Sequence, residues 1–205
     1  YCEEATRILA DHAYNHKEYE LSLETYGNLI ELTSNPSIKQ HAQVYRLRSA
    51  QALDNNELII KETPQVLANS KLLPETVTEL RYYRAKAYLI QNKNEGAIED
   101  LSILAKDTRN VYGAEAKYLL AQLYYNMHKY DSAEKEVLDY INVSTPHSYW
   151  LARSFILLAD VYMTNKKYIE AKQYLISLEQ SYKAKDDIAS MIEERLKALE
   201  NKMNN

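Results

Sequence analysis

Two histidines have the side chains and the spacing that most suggest chemistry. His12 and His16 stand four positions apart in "HAYNH", and on a helix this spacing brings two imidazoles to one face, where they could share a metal ion. The glutamate of the metalloprotease motif is absent, and the remaining histidines, His41, His128 and His147, are scattered. We therefore expect a solvated pair without a metal or any other cofactor, and a metal-dependent enzyme is the less favoured alternative.

Other catalytic patterns are absent from the sequence. Gly27, Gly96 and Gly113 lie far apart, so they form no phosphate-binding loop, and there is no serine elbow or Cys-x-x-Cys pair. Adjacent acids such as Glu193 and Glu194 diverge around a helix instead of converging on one point. We predict no catalytic residues and a chain that is not an enzyme.

Composition and charge limit the fold class and the partners. The chain has 205 residues, 46% of them hydrophobic, with only three glycines and four prolines, a composition that favours an all-helical protein. The net charge of -4 comes from interspersed acids and bases, which argues against nucleic acid as a partner. No run of about 18 apolar residues occurs, so we expect no membrane insertion. The first residue, Tyr1, is not Met, which suggests a fragment or a processed chain.

A repeat runs through the whole sequence. The stretch "LLAQLYYNMHKYDSA" from 119 to 133 is echoed by "LLADVYMTNKKYIEA" from 157 to 171. Small residues recur in step at offsets of 39, 36, 36 and 38, and their positions are Ala10, Ser49, Ala85, Ala121 and Ala159. In four of the five units a second small residue follows twelve positions later, and in the second unit Ile59 follows after ten. Small side chains at two such points allow the close approach of two antiparallel helices.

Polar joints and proline-containing links divide the repeat into helix pairs. Joints such as "YNMHKY" and "TNKKY" separate the two helices of a pair, and Pro74 or "NPS" precedes the start of the next pair. These signals predict five pairs, at about 1–32, 37–70, 75–106, 112–142 and 147–183, in a single domain. Pro64 should delay or kink the second helix of pair two. The amphipathic segment 186–203 is predicted to form a capping helix.

These units resemble the tetratricopeptide repeat. That family pairs an apolar residue, a small residue and Tyr in one helix with Tyr, Ala and a large apolar residue in the next, as in "LLAQLYY" with "KYDSAEKEV". "LRSAQAL" with "ELIIKET" matches by register alone. The resemblance implies an alpha-alpha superhelix, although the spacing exceeds the family's usual period of about 34 residues. The C-terminal half further resembles repeat arrays of large cell-envelope proteins in Bacteroides-like bacteria, which implies a bacterial protein in the periplasm or cell envelope.

In the tetratricopeptide family the first helix of each pair lines a concave groove that commonly binds peptides. The resemblance therefore implies that residues at three positions of each first helix point into this groove. Carried over by register, these residues are Arg7, Asp11 and Tyr14; Arg46, Ala50 and Leu53; Tyr82, Lys86 and Leu89; Tyr118, Gln122 and Tyr125; Ile156, Asp160 and Met163. Tyr82, Tyr118 and Tyr125 are expected to be exposed there, whereas most of the 19 tyrosines should pack between helices.

The sequence thus predicts a protein-protein interaction scaffold that binds a protein or peptide segment in this groove. An alternative is a structural spacer or oligomerisation segment with no groove ligand. The apolar residues Ile8 and Leu9 of the first helix favour self-association through the N-terminal edge.

Overall fold

The computed structural model describes residues 2–203, and every element of regular secondary structure in this part of the chain is an α-helix. Within it the helices are α1 Cys2–Asn15, α2 Tyr19–Leu32, α3 Pro36–Ala52, α4 Asn56–Leu67, α5 Pro74–Ile90, α6 Asn94–Leu104, α7 Val111–Asn126, α8 Tyr130–Ile141, α9 Ser148–Thr164, α10 Tyr168–Ser181 and α11 Ile188–Met203. The predicted fold class, helix pairs followed by a terminal helix, is confirmed. Tyr1, the predicted start of the first pair, lies outside the described residues. None of the helices between residues 2 and 203 combines the length and apolarity that a membrane span requires.

Local chemistry explains where the first helices of the pairs begin. The side chain of Asn35 accepts hydrogen bonds from the backbone N–H groups of Ser37 and Ile38, and Asn110 accepts one from Gly113. These bonds satisfy N–H groups that have no partner within the helix. Pro36 and Pro74 occupy the first turns of α3 and α5, where a missing N–H costs nothing.

The joint inside each pair has the same backbone conformation in all five pairs. One residue of each joint is left-handed, with φ between 53° and 62°, and none of these residues is glycine: Lys17, Asp54, Asn92, His128 and Lys166. The residue after each of them donates its N–H to the carbonyl five positions earlier, at 2.8 to 2.9 Å. This is the hydrogen bond of a Schellman helix end, and it recurs once in each pair.

This common joint corrects the predicted register of the second pair. In the other four pairs the first small residue lies seven positions before the left-handed residue, as Ala85 does before Asn92. Seven positions before Asp54 is Leu47, not Ser49, and Leu47 also lies twelve positions before Ile59. Ser49, although fully buried, is therefore not the equivalent residue. Leu47 is fully buried at this position, in a cluster with Val66 and Leu80.

The chain packs as two compact units, one up to Asp100 and one from Leu101 onward, and the single domain stays a prediction. In the first unit, α2 packs on α1 and α3 through the fully buried side chains Tyr26, Leu29 and Ala42. Farther along, Val44, Leu47 and Leu80 join α3 to α5. Asp100 is fully buried at the end of this unit and accepts hydrogen bonds from Arg81 and Arg84, which offsets the cost of burying its charge.

The second unit has one continuous core built from the recurrent small residues and larger aliphatic side chains. Ala121, Ala133, Ala159 and Ala171 are fully buried in it, as the repeat predicts for close helix contacts. The terminal helix α11 adds three buried side chains, Ile188, Ile192 and Leu199, to the same cluster.

Pro64 lies inside α4, and the predicted delay of this helix is wrong, because α4 begins at Asn56. The side chain of Asn55 accepts a hydrogen bond from the Leu58 N–H and starts the helix well before the proline. A kink at Pro64 stays a prediction.

Candidate functional site

In the first unit, α1, α3 and α5 present a partly exposed polar and aromatic surface. We call it the unit 1 face and define it by six residues: Asp11, Tyr14, His41, Tyr45, Arg48 and Glu79. Their positions recur along the chain, because Arg48 follows Leu47 as Asp11 follows Ala10 and Lys86 follows Ala85. First helices with a common register thus bring the same positions to one side of the unit.

The half of the face between α1 and α3 is organised by Asp11. Its carboxylate accepts a hydrogen bond from the Tyr26 hydroxyl at 2.6 Å and lies 3.0 Å from Nε2 of His41. The Asp11 and His41 side chains remain 38% and 40% exposed, so both can still contact a ligand. Tyr14 packs edge-on against Tyr45, with ring centroids 4.9 Å apart. His41 therefore has a charged neighbour, although the sequence reads it as a scattered histidine.

The half of the face between α3 and α5 is organised by Arg48. Its guanidinium forms two hydrogen bonds to Glu79, at 2.7 and 3.0 Å, and lies 4.7 Å from the centre of the Tyr45 ring. The hydrogen bonds to Glu79 raise the pKa of Arg48 further above its ordinary value. Tyr83 also donates its hydroxyl hydrogen to Glu79, at 2.7 Å. This network fixes both charges in place.

An open cavity of about 450 Å³ lies at this half of the face. His41, Tyr45 and Arg48 line one side of it, and Leu73, which is 67% exposed, lies on the other. The cavity thus offers an apolar contact beside a guanidinium and an imidazole.

The structure places Tyr82 and Lys86 on α5 as a pair, with the Lys86 ammonium 5.8 Å from the centre of the Tyr82 ring. Both are partly exposed. Arg7 is partly exposed on α1 and donates to Glu4 at 2.8 Å. The exposed part of each side chain leaves room for a ligand, whose binding stays a prediction.

Arg46 does not lie with these residues, and its predicted place in the groove is wrong. Its guanidinium donates to both carboxylate oxygens of Glu62 on α4 and to the Leu23 carbonyl of α2. It lines a cavity of about 590 Å³ between α2, α3 and α4, on the side of the second helices. The physical reason is the register of pair two, which rotates Arg46 away and brings Tyr45 and Arg48 to the unit 1 face. Ala50, assigned by the same register, is fully buried.

In the second unit, Tyr118 is only 6% exposed, so its predicted exposure is wrong. The Trp150 ring packs beside it, with centroids 5.6 Å apart, and the Arg153 guanidinium lies 4.9 Å from its centre. The Tyr118 hydroxyl accepts from Arg153 and donates to Gln122, which in turn donates to Asn126. Gln122 stays partly exposed at the surface of α7.

The other predicted residues of the second unit lie on α7 and α9. The Tyr125 hydroxyl is 3.2 Å from that of Thr164, and Met163 is partly exposed. Asp160 accepts two hydrogen bonds from Arg195 of α11, at 3.1 and 3.2 Å. Burial raises the pKa of Asp160, while the Arg195 bond and charge oppose that shift. Ile156, from the same register, is buried.

The two N-terminal histidines form a local pair. Their rings stack with centroids 3.9 Å apart, and Nδ1 of His16 is 2.9 Å from the His12 carbonyl oxygen. Among residues 2–203, no group of three or more His, Cys, Asp or Glu side chains is placed to hold a metal ion.

Comparison with known proteins shows the fold that this surface belongs to. A MamA protein is 15% identical, with 90% of this chain and 97% of that chain covered and a TM-score of 0.68. Nearly identical TPR-like repeats of a Podosopora anserina chain assigned as a kinesin light chain are 18% identical, covering 86% and 93%, with a TM-score of 0.58. BtubC (BKLC) of P. vanneervenii is 15% identical, covering 89% and 83%, with a TM-score of 0.59.

At these identities the likeness shows the fold alone, a helical solenoid like that of TPR-like repeats. The chain matches no family model and no curated protein sequence.

Proposed function

We propose that this chain is a non-enzymatic scaffold that binds a segment of a partner protein on the first-helix side of its repeats. The unit 1 face carries this proposal, because three first helices supply a surface that is both partly exposed and held in place. Ring contacts and ion pairs between neighbouring helices fix Tyr45 and Arg48 before any ligand arrives. Binding to such a surface requires little ordering of the scaffold.

The chemistry of the face suits a polypeptide better than a small molecule. Carboxylate, guanidinium and imidazole groups lie side by side with tyrosine rings, so the face can pair charges of both signs and cover apolar side chains. The cavity beside Leu73 is open on the outside, whereas small-molecule sites enclose most of the ligand surface. One large side chain of a bound segment fits into a space of about 450 Å³.

Site-specific photo-cross-linking in the native cell tests this proposal. A photoreactive amino acid in place of Tyr82 is expected to capture one partner, while the same amino acid in place of the exposed Lys61 of α4 captures none. Titration of the captured partner then measures the effect of Tyr82→Ala with Lys86→Ala. We expect at least about tenfold weaker binding, because Tyr82 and Lys86 lie three and seven positions after Glu79 on α5 and so share the side of the helix that contributes to the unit 1 face.

A matched variant controls for general surface effects. Lys61→Ala with Gln65→Ala changes the same number of exposed side chains on a second helix and should leave the affinity unchanged. Cross-links from Lys61 alone, or equal affinities of both variants, would show that the partner uses the other side of the repeats.

A further inference from the structure

The outer edge of the first helix pair has an apolar groove. Leu9 of α1 and Leu21 and Leu32 of α2 line it and are 48%, 38% and 49% exposed. The groove has a volume of about 500 Å³ and also contacts Glu24 and Glu31. Single exposed leucines are ordinary on a protein surface, but three along one groove mark an interaction surface.

The repeat shows what kind of structure fits such an edge. Lys17 and Asp54 are the left-handed residues of the first two joints, so they are equivalent positions of the repeat. Aligning the two pairs on these residues shows that the positions equivalent to the groove lie on α3 and α4 of the second pair. Along α3 that equivalent edge is covered by a helix, because α2 packs on α3 through the buried contact of Ser22 with Ser49, at 2.8 Å, while the cavity of about 590 Å³ stays open beside α4. Arg46, the equivalent of Leu9, donates to the Leu23 carbonyl of the covering helix. The edge of a pair is therefore shaped to receive one helix.

The edges of the first two pairs differ in composition, and this difference indicates which kind of helix fits the first pair. Where the second pair has Arg46 and Glu62, the first pair has Leu9 and Thr25, so its groove is more apolar. A helix that fills it needs an apolar stripe, with residues at i, i+4, i+7 and i+11.

Charge adds a second requirement. Residues 1–33 contain seven acidic and two basic side chains, a net charge of -5, whereas residues 34–205 contain 22 acidic and 23 basic side chains, a net charge of +1. The first helix pair thus accounts for the acidity of the whole chain. Glu24 and Glu31 at the groove attract Lys or Arg side chains, and a second copy of this same edge would be repelled.

We propose that the outer edge of α1 and α2 docks one amphipathic helix of a partner protein, with an apolar stripe flanked by Lys and Arg. This surface is separate from the unit 1 face, so one scaffold holds two different segments. The occupant packs on α1 as α2 packs on α3.

Designed peptides provide the test. The probe is a peptide of about four helical turns with leucines at i, i+4, i+7 and i+11 and lysines on both flanks, and its control has glutamates in place of the lysines. We expect the lysine peptide to bind at least about tenfold more tightly than the glutamate peptide, and this ratio to shrink at high salt.

Variants locate the binding site on the protein. Leu9→Gln with Leu21→Gln should weaken binding of the lysine peptide at least about tenfold, whereas Ile169→Gln, at a side chain 64% exposed on α10, should not. Circular dichroism and the melting temperature show whether each variant is folded. Because the replaced leucines are half-exposed, we expect both variants to fold.

Three results would overturn the proposal. The first is equal binding of the lysine peptide by the wild type and the leucine variant. The second is concentration-dependent self-association that the leucine variant abolishes, since the occupant would then be a second copy. The third concerns hydrogen exchange of the amides of residues 21–32 in the complete natural polypeptide, measured without peptide. Exchange slower than that of a helix with one exposed face would mean that another part of the polypeptide already covers the groove.

Discussion

Tyr26 links the core of the first unit to its candidate binding surface. Its ring is fully buried, and its hydroxyl donates to Asp11, a residue of the unit 1 face. Burial, followed by the hydrogen bond and the charge of Asp11, raises the pKa of Tyr26 above its ordinary value. The tyrosine thus positions a carboxylate that also lies beside His41.

Replacement of this tyrosine tests the link. Tyr26→Phe should lower the free energy of unfolding by about 1 to 2 kcal/mol, because the Asp11 carboxylate loses a charge-assisted hydrogen bond. In the unfolded chain Tyr26 loses its proton near pH 10, whereas in the folded protein its pKa is higher. The free energy of unfolding therefore falls as the pH rises above about 10. Urea unfolding at several pH values should therefore show a shallower alkaline decline in Tyr26→Phe. An identical decline in both proteins would contradict this role.

A second prediction concerns the ion pair between Asp160 of α9 and Arg195 of α11. Burial raises the pKa of Asp160 above its usual value, and Arg195 is the group that opposes this shift. Arg195→Met should therefore raise the pKa of Asp160 further, as followed by NMR of the side-chain carboxyl. Because the folded pKa lies above the unfolded one, stability from this group is present at acidic pH and declines as pH rises through the folded pKa. A pKa of Asp160 that falls in Arg195→Met would contradict the assignment.

The joints of the helix pairs differ in how well their left-handed residue tolerates this conformation. Lys166 is left-handed, with φ of 59°, and the side chain of a lysine forms no local hydrogen bond that would stabilise this conformation. Asn92 has φ of 55°, but asparagine is a residue type that tolerates the left-handed region. Lys166→Gly should raise the free energy of unfolding by about 0.5 to 1 kcal/mol, after the extra entropy of glycine in the unfolded chain is counted.

Asn92→Gly is the matched control, at the equivalent joint of pair three. It should change the free energy of unfolding less than Lys166→Gly, as measured by urea denaturation. Equal gains in both variants would mean that the left-handed residue is not the source of the effect.

The helix pairs were predictable because composition, small-residue spacing and polar joints agree along most of the chain. The second pair was the exception, since Ser49 is small and buried and imitates the expected alanine, while the true equivalent is Leu47. The joint "LDNNE" does not resolve this from sequence, because Asp54, Asn55 and Asn56 are all residue types suited to a left-handed joint, and only the structure shows that Asp54 takes this conformation.

The candidate site was only partly predictable, because exposure depends on neighbouring helices. Asp11 and Tyr14 follow from the register of their own helix. The burial of Tyr118 does not, since it results from Trp150 and Arg153, which belong to the next helix pair. The pairing of Arg48 with Glu79 likewise joins two different repeats, and no spacing within one repeat indicates it.

Across the chain as a whole, charge and exposed apolar surface are unevenly distributed. The segment 1–33 has a net charge of -5 and includes the exposed Leu9, Leu21 and Leu32. Each unit also has its own first-helix surface, and that of unit 1 combines fixed charges with tyrosine rings. In the proposed function, these surfaces hold segments of partner proteins.

NMR chemical-shift mapping with the cross-linked partner tests the proposed binding role most directly. Titration of the isotope-labelled chain with the purified partner segment should shift resonances of α1, α3 and α5, with the largest changes at Tyr45, Arg48 and Tyr82. Shifts confined to α2 and α4, including Lys61 and Gln65, would contradict binding on the first-helix side of the repeats.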